Sequence, residues 1–92
     1  MRINKLEPIF LDEIPDKIKE GKLYISKKYG VAILLCACGC LGKTVMPLSK
    51  DEWILTGSES EVTLRPSIGN WSYEQPNYHA HYHITNNKIE WC

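Results

Sequence analysis

The chain has no excess of charge of either sign: eleven Lys and Arg offset eleven Asp and Glu over 92 residues. Only Arg2 and Arg65 are arginines, whereas general nucleic-acid binders carry a clear basic surplus against phosphate. A nucleic-acid partner is therefore not expected. Long apolar runs are missing as well. Residues 31–35, running into a cysteine segment, fall far short of the roughly 20 residues of a membrane-spanning helix, so no membrane partner is expected. The opening MRINKLEPIF has no apolar leader core and no small-residue cleavage site, which makes a cytoplasmic location the expectation. Gly-x-Ser-x-Gly, His-Glu-x-x-His, P-loop and dinucleotide fingerprints are also absent, and several enzyme classes go with them.

Apolar residues make up 43% of the chain, ordinary for a folded domain. No repeat or linker divides it, so residues 1–92 are read as one domain. A chain this short buries only about 60–65% of its unfolded surface, and a core of that size benefits from a staple. Alternation and β-branched content predict short strands, and no stretch has a convincing helical stripe. Residues 6–11 read as an edge strand because of Pro8. Residues 23–26 and 31–36 read as a hairpin around 27–30, with 43–46 as a return strand. Residues 53–56 and 61–65 form a second hairpin around 57–60. In the third, 79–85 and 88–91 flank Asn86-Asn87, a pair able to take positive φ. One helical turn is expected within 14–21, and another after Ser49, where Ser-x-x-Glu has capping-box spacing. The expected fold is a compact, mainly antiparallel β-sheet or sandwich-like domain with one or two helical turns, stapled by a zinc ion.

The staple is read from Cys36-Ala37-Cys38-Gly39-Cys40. Cysteines two apart are hard to bridge to each other, and three cannot pair completely. Thiolates bind zinc, and flanking glycines let the backbone turn so that sulfurs converge. The plainer alternative is that Cys36 ends a strand as a small buried apolar residue. His79, His81 and His83 share one face of a regular strand. Mixed sulfur and imidazole ligands suit zinc, with His81 the first choice of ligand. His79 and His83 are then a fourth ligand, a supporting partner or a proton carrier. Read plainly, the three are polar residues on a solvent face.

Arg65-Pro66-Ser67-Ile68-Gly69-Asn70-Trp71 is read as a strand end entering a loop. Pro66 fixes a bend and Gly69 permits an unusual backbone angle. Ser67 and Asn70 then project from a rigid turn, able to bind a substrate carbonyl or its oxyanion. Alternatively they tie up their own loop's backbone while Trp71 fills the core.

Leu23-Tyr24-Ile25-Ser26, the Cys36–Cys40 cluster, Leu64-Arg65-Pro66-Ser67-Ile68-Gly69-Asn70-Trp71 and His81-Tyr82-His83-Ile84 occur in the order of one family. Over nearly its whole length the chain resembles a small, poorly characterised bacterial domain family whose genes accompany ubiquitin-like conjugation genes. Pro-Ser-Ile-Gly-Asn-Trp is the most specific part of the match. The resemblance implies a zinc-binding β domain and a peptidase that trims or removes a ubiquitin-like protein, with that protein or its conjugates as partner. It places Cys36, Cys38, Cys40 and His81 at ligand-like positions and Ser67 and Asn70 in the family's loop. The chain departs from the pattern at Tyr78, where many relatives have a cysteine; His79 is the replacement at hand.

Two functions follow. In a zinc-dependent hydrolase, the cysteine cluster and His81 hold the metal, and a second histidine such as His83, or one of the scattered carboxylates, serves as the base. Ser67 and Asn70 hold the tetrahedral intermediate, and Trp71 lies against the substrate. In the alternative, four filled ligands make a non-catalytic zinc module that binds a protein partner through exposed parts of Trp53, Trp71 and Trp91.

Overall fold

A computed structural model describes residues 3–39, 42–70 and 80–91, with Asn70 and Ala80 described by their backbones alone. Strands β1 (Glu7–Phe10), β2 (Lys22–Ser26), β3 (Val31–Leu35) and β4 (Lys43–Pro47) form one sheet in that order. Strands β5 (Ile54–Gly57), β6 (Val62–Asn70), β7 (Ala80–Thr85) and β8 (Lys88–Trp91) form the other. Pairing is antiparallel throughout except for β1 with β2, which run parallel.

Alternation explains how the sheets meet. Leu23 and Ile25 of β2, Ala32 and Leu34 of β3 and Met46 of β4 turn inward. They join Val62, Leu64 and Ile68 of β6, Tyr82 and Ile84 of β7 and Ile89 of β8 in one apolar core. Burial on this scale drives the packing, at about 25 cal/mol per Å² of apolar surface. The residues between them on β6 and β7, Ser67, His81 and His83 among them, face outward.

The turns are built from residues that suit them. Asn86 and Asn87 take φ of 48° and 70°, the pair of left-handed residues that a two-residue hairpin loop requires. Gly57 has φ of 98°, and a Cβ there would lie 2.3 Å from the Glu61 carbonyl oxygen. Only glycine fits. Pro8 sits in the outermost strand of its sheet, where a missing N–H costs no ladder bond. At the start of the parallel pair the Lys22 ammonium meets Glu7 Oε1 at 2.6 Å. That hydrogen bond, with the charge of Glu7 behind it, raises the lysine pKa. The attraction therefore holds through neutral pH and fades only as pH climbs past the ordinary lysine range.

No helix occurs among the described residues: the turn expected within 14–21 is not helical, and the one expected after Ser49 is a single hydrogen-bonded turn. Residues 11–21 carry the chain from the end of β1 back to the start of its parallel neighbour through bends and a turn. The Lys19 N–H, which a helix would use internally, donates to Tyr24 Oη at 3.0 Å. After Ser49 a single turn forms, with the Glu52 N–H donating to the Ser49 carbonyl at 3.1 Å and Ser49 Oγ meeting Glu52 Oε1 at 3.3 Å. The flanking Leu48 N–H donates to Gly30 O, and that of Trp53 to Pro47 O, so too few residues remain to repay helix nucleation. No helix among the described residues is long and apolar enough to cross a membrane.

Candidate active site

The segment expected to be a loop after Arg65 is the second half of a nine-residue strand. Sheet pairing holds it extended: Ile68 pairs with Tyr82, Gly69 with His81 and Asn70 with Ala80. Between Leu64, opposite Ile84, and Ile68, opposite Tyr82, β6 places Arg65, Pro66 and Ser67 against the single residue His83. This is a β-bulge, a device that re-aims side chains. Leu64 and Ile68 on either side of it are buried, so Ser67, next to Ile68, turns to the outer face.

There Ser67 Oγ lies 2.8 Å from Nε2 of His81. In a regular ladder Ser67 would stand opposite His83, with His81 its diagonal neighbour, and a diagonal neighbour is within reach only of a long side chain. Gly69 makes that reach possible. It is the residue directly opposite His81 and has no side chain, which leaves the imidazole room to lean along the sheet toward Ser67. Sequence reasoning gave Gly69 a role in a turn, whereas its use here is the space it leaves in a strand. His83 shares the outer face with His81, and its own cross-strand partner is Glu90.

Arg65 fastens the bulge. Its Nη1 donates to the Leu64 carbonyl at 2.9 Å and to the Ile84 carbonyl at 3.1 Å, and its Nη2 donates to Thr85 Oγ1 at 2.7 Å. Thr85 in turn donates to Glu90, whose Oε1 is 3.8 Å from Nη2. One planar fork thus joins β6, β7 and β8 beside Ser67, a use suited to guanidinium. Nothing in the sequence singled out Arg65 for this, because its partners lie about twenty residues away.

Cys36 to Gly39 make a tight turn after β3. The Cys36 N–H donates to Gly42 O at 2.7 Å and the Gly39 N–H to Cys36 O at 3.1 Å, with Gly39 at φ of 95°. Cys36 is buried and its Sγ lies 3.3 Å from that of Cys38. Two sulfurs side by side are a donor pair suited to a thiophilic ion. Among the described residues no three His, Cys, Asp or Glu side chains converge into a metal site. Cys40, Trp71, Tyr78, His79 and the Asn70 side chain lie outside the described residues. The structure thus brings Ser67 and His81 together, and Cys36 and Cys38 together.

A serine hydroxyl resting on an imidazole nitrogen at the surface of a β-sandwich is the nucleophile-and-base arrangement of serine hydrolases. The chain belongs to the BubE family, described as the serine protease of a bacterial ubiquitination-like system, whose family model matches residues 10–92. No match was found among curated proteins or among solved structures.

Proposed function

We propose that this protein is a serine peptidase that cleaves the chain at the C-terminus of a ubiquitin-like protein, with Ser67 as nucleophile and His81 as general base. The observation that carries the reading is the 2.8 Å contact between Ser67 Oγ and His81 Nε2, within the range for proton transfer. Ser67 Oγ attacks the carbonyl carbon as its proton passes to Nε2. The tetrahedral intermediate collapses, the imidazolium gives that proton to the leaving group, and an acyl ester remains on Ser67. Water, deprotonated by the same nitrogen, attacks the ester, and the acid is released as the proton returns to Ser67 Oγ. Family membership in a ubiquitination-like system supports a ubiquitin-like protein or its conjugates as substrate. His81 is exposed and Ser67 only half-buried, so a protein-sized substrate laid over the pair supplies the exclusion of water that such chemistry uses.

Zinc takes a separate place in this reading. Because Nε2 of His81 is engaged by Ser67, the histidine first chosen as a metal ligand has work of its own. The paired sulfurs of Cys36 and Cys38 favour a structural zinc ion held by the cysteine turn with Cys40. Bound there, zinc would cross-link the turn between β3 and β4.

The test is cleavage of a C-terminally extended ubiquitin-like protein from the same system. Ser67→Ala and His81→Ala are each expected to lower kcat/KM by about a thousandfold or more, with circular dichroism and melting unchanged. Full activity in Ser67→Ala would overturn the assignment. Metal analysis and chelation address the cysteine turn. Stoichiometric zinc whose removal lowers Tm supports a structural ion; zinc-free protein of full stability refutes it.

A further inference from the structure

β6 has two edges, and they end differently. On one side it is paired with β7 as far as Asn70. On the other, among the described residues, β5 accompanies it from Gly57, opposite Val62, only to Ile54, opposite Arg65. The chain before Ile54 turns away to the first sheet, where Trp53 bridges Leu48 in parallel. Beyond Arg65, β6 continues through Pro66 to Asn70 past its last β5 partner. Pro66 occupies the first position past that point. A proline has no N–H to give a ladder and belongs at a strand edge or bulge. Alternate residues of Ser67–Asn70 turn their N–H and C=O groups away from β7, and no strand among the described residues pairs with them there.

We infer that this edge of β6, beyond Arg65, is the docking strand for the extended C-terminal tail of the ubiquitin-like substrate, which adds to the sheet in the line that β5 vacates. The inference rests on Ser67 being the nucleophile and adds how the substrate reaches it. A strand added to a sheet lies about 4.8 Å from its neighbour, so its carbonyl carbons pass alongside Ser67. A folded domain offers unpaired backbone only along a sheet edge, whereas an extended tail is open on both of its edges. Recognition through main-chain hydrogen bonds gives affinity with little dependence on tail side chains.

The extended ubiquitin-like protein is made semisynthetically with single backbone N-methyl groups at successive tail positions. N-methylation at alternate residues is expected to lower kcat/KM tenfold or more, chiefly through KM, while the intervening positions stay within twofold of the parent. A flat profile, or equal loss at every position, overturns the docking strand. Hydrolysis of p-nitrophenyl acetate, which has no tail, tests the nucleophile separately by comparison with Ser67→Ala. Serine-dependent ester hydrolysis with a flat N-methyl profile removes the docking edge and leaves the nucleophile. An alternating profile with ester hydrolysis unaffected by Ser67→Ala removes the nucleophile and leaves the edge.

Discussion

At the scale of single residues, two small side chains have large consequences. Gly69, which has no side chain, stands opposite His81, whose Nε2 meets Ser67 Oγ. Gly69→Val puts a branched side chain there, on a strand where valine is otherwise favourable. We expect kcat to fall about tenfold or more, with melting unchanged or raised; unchanged turnover would show that the ring does not need that space. Asn87 acts on stability. Its Oδ1 accepts the Val62 N–H at 2.8 Å and its Nδ2 donates to Ser60 O at 2.6 Å, while its backbone keeps a φ of 70°. Asn87→Ala leaves a buried N–H unpaired and removes the short polar side chain that lets asparagine tolerate a left-handed backbone, an expected loss of about 2–4 kcal/mol in urea unfolding. Asn87→Gly keeps the backbone freedom and should lose less.

At the scale of elements, the bulge in β6 decides the geometry, and Arg65 is its fastening. Arg65→Ala frees the Ile84 carbonyl and Thr85 from their shared donor and should lower kcat tenfold or more with KM nearly constant. The ring-nitrogen NMR shifts of His81 should move with it, a readout that a general loss of packing would not produce selectively. Arg65→Lys, with a single ammonium in place of a fork, should recover only part of the rate.

The hairpins were legible in the sequence because their signals are local. Asn86-Asn87 fixes its own turn, and the alternation of residues 80–85 sorts Tyr82 inward and His81 outward. Pro8 likewise announced an edge. The strand character of 66–70 was not legible. Proline and glycine are read locally as loop residues, whereas here β7 pairing overrides that preference and the bulge absorbs the surplus. The turn at Ser49 forms but stops at one turn for a similar reason: capping-box spacing says nothing about Leu48 and Trp53 being held by Gly30 and Pro47. The residue types of the site were visible in Ser67 and His81, but their pairing was not, because it depends on register.

At the scale of the molecule, the N-terminal segment ties the two sheets together. The Ile3 N–H donates to Ala37 O in the cysteine turn, the Ile89 N–H to Asn4 O and the Leu6 N–H to Asn87 O, each at 2.7–2.8 Å. Leu6 itself is 2% exposed in the shared core. Deleting residues 2–6 removes a buried leucine, worth about 1.5–3 kcal/mol, together with these bonds. For a small domain with a total stability of about 5–15 kcal/mol, we expect a loss of at least about 3 kcal/mol and a single cooperative transition at lower urea. Two separate transitions would show that the sheets do not form one cooperative unit.

The central claim is that Ser67 is a nucleophile activated by His81, and active-site labelling tests it most directly. Folded protein is incubated with a fluorophosphonate, and the modified residue is located by mass spectrometry. The account predicts one adduct per chain, on Ser67, formed at least a hundredfold more slowly in His81→Ala. No adduct on Ser67, or labelling at the same rate in His81→Ala, would contradict it.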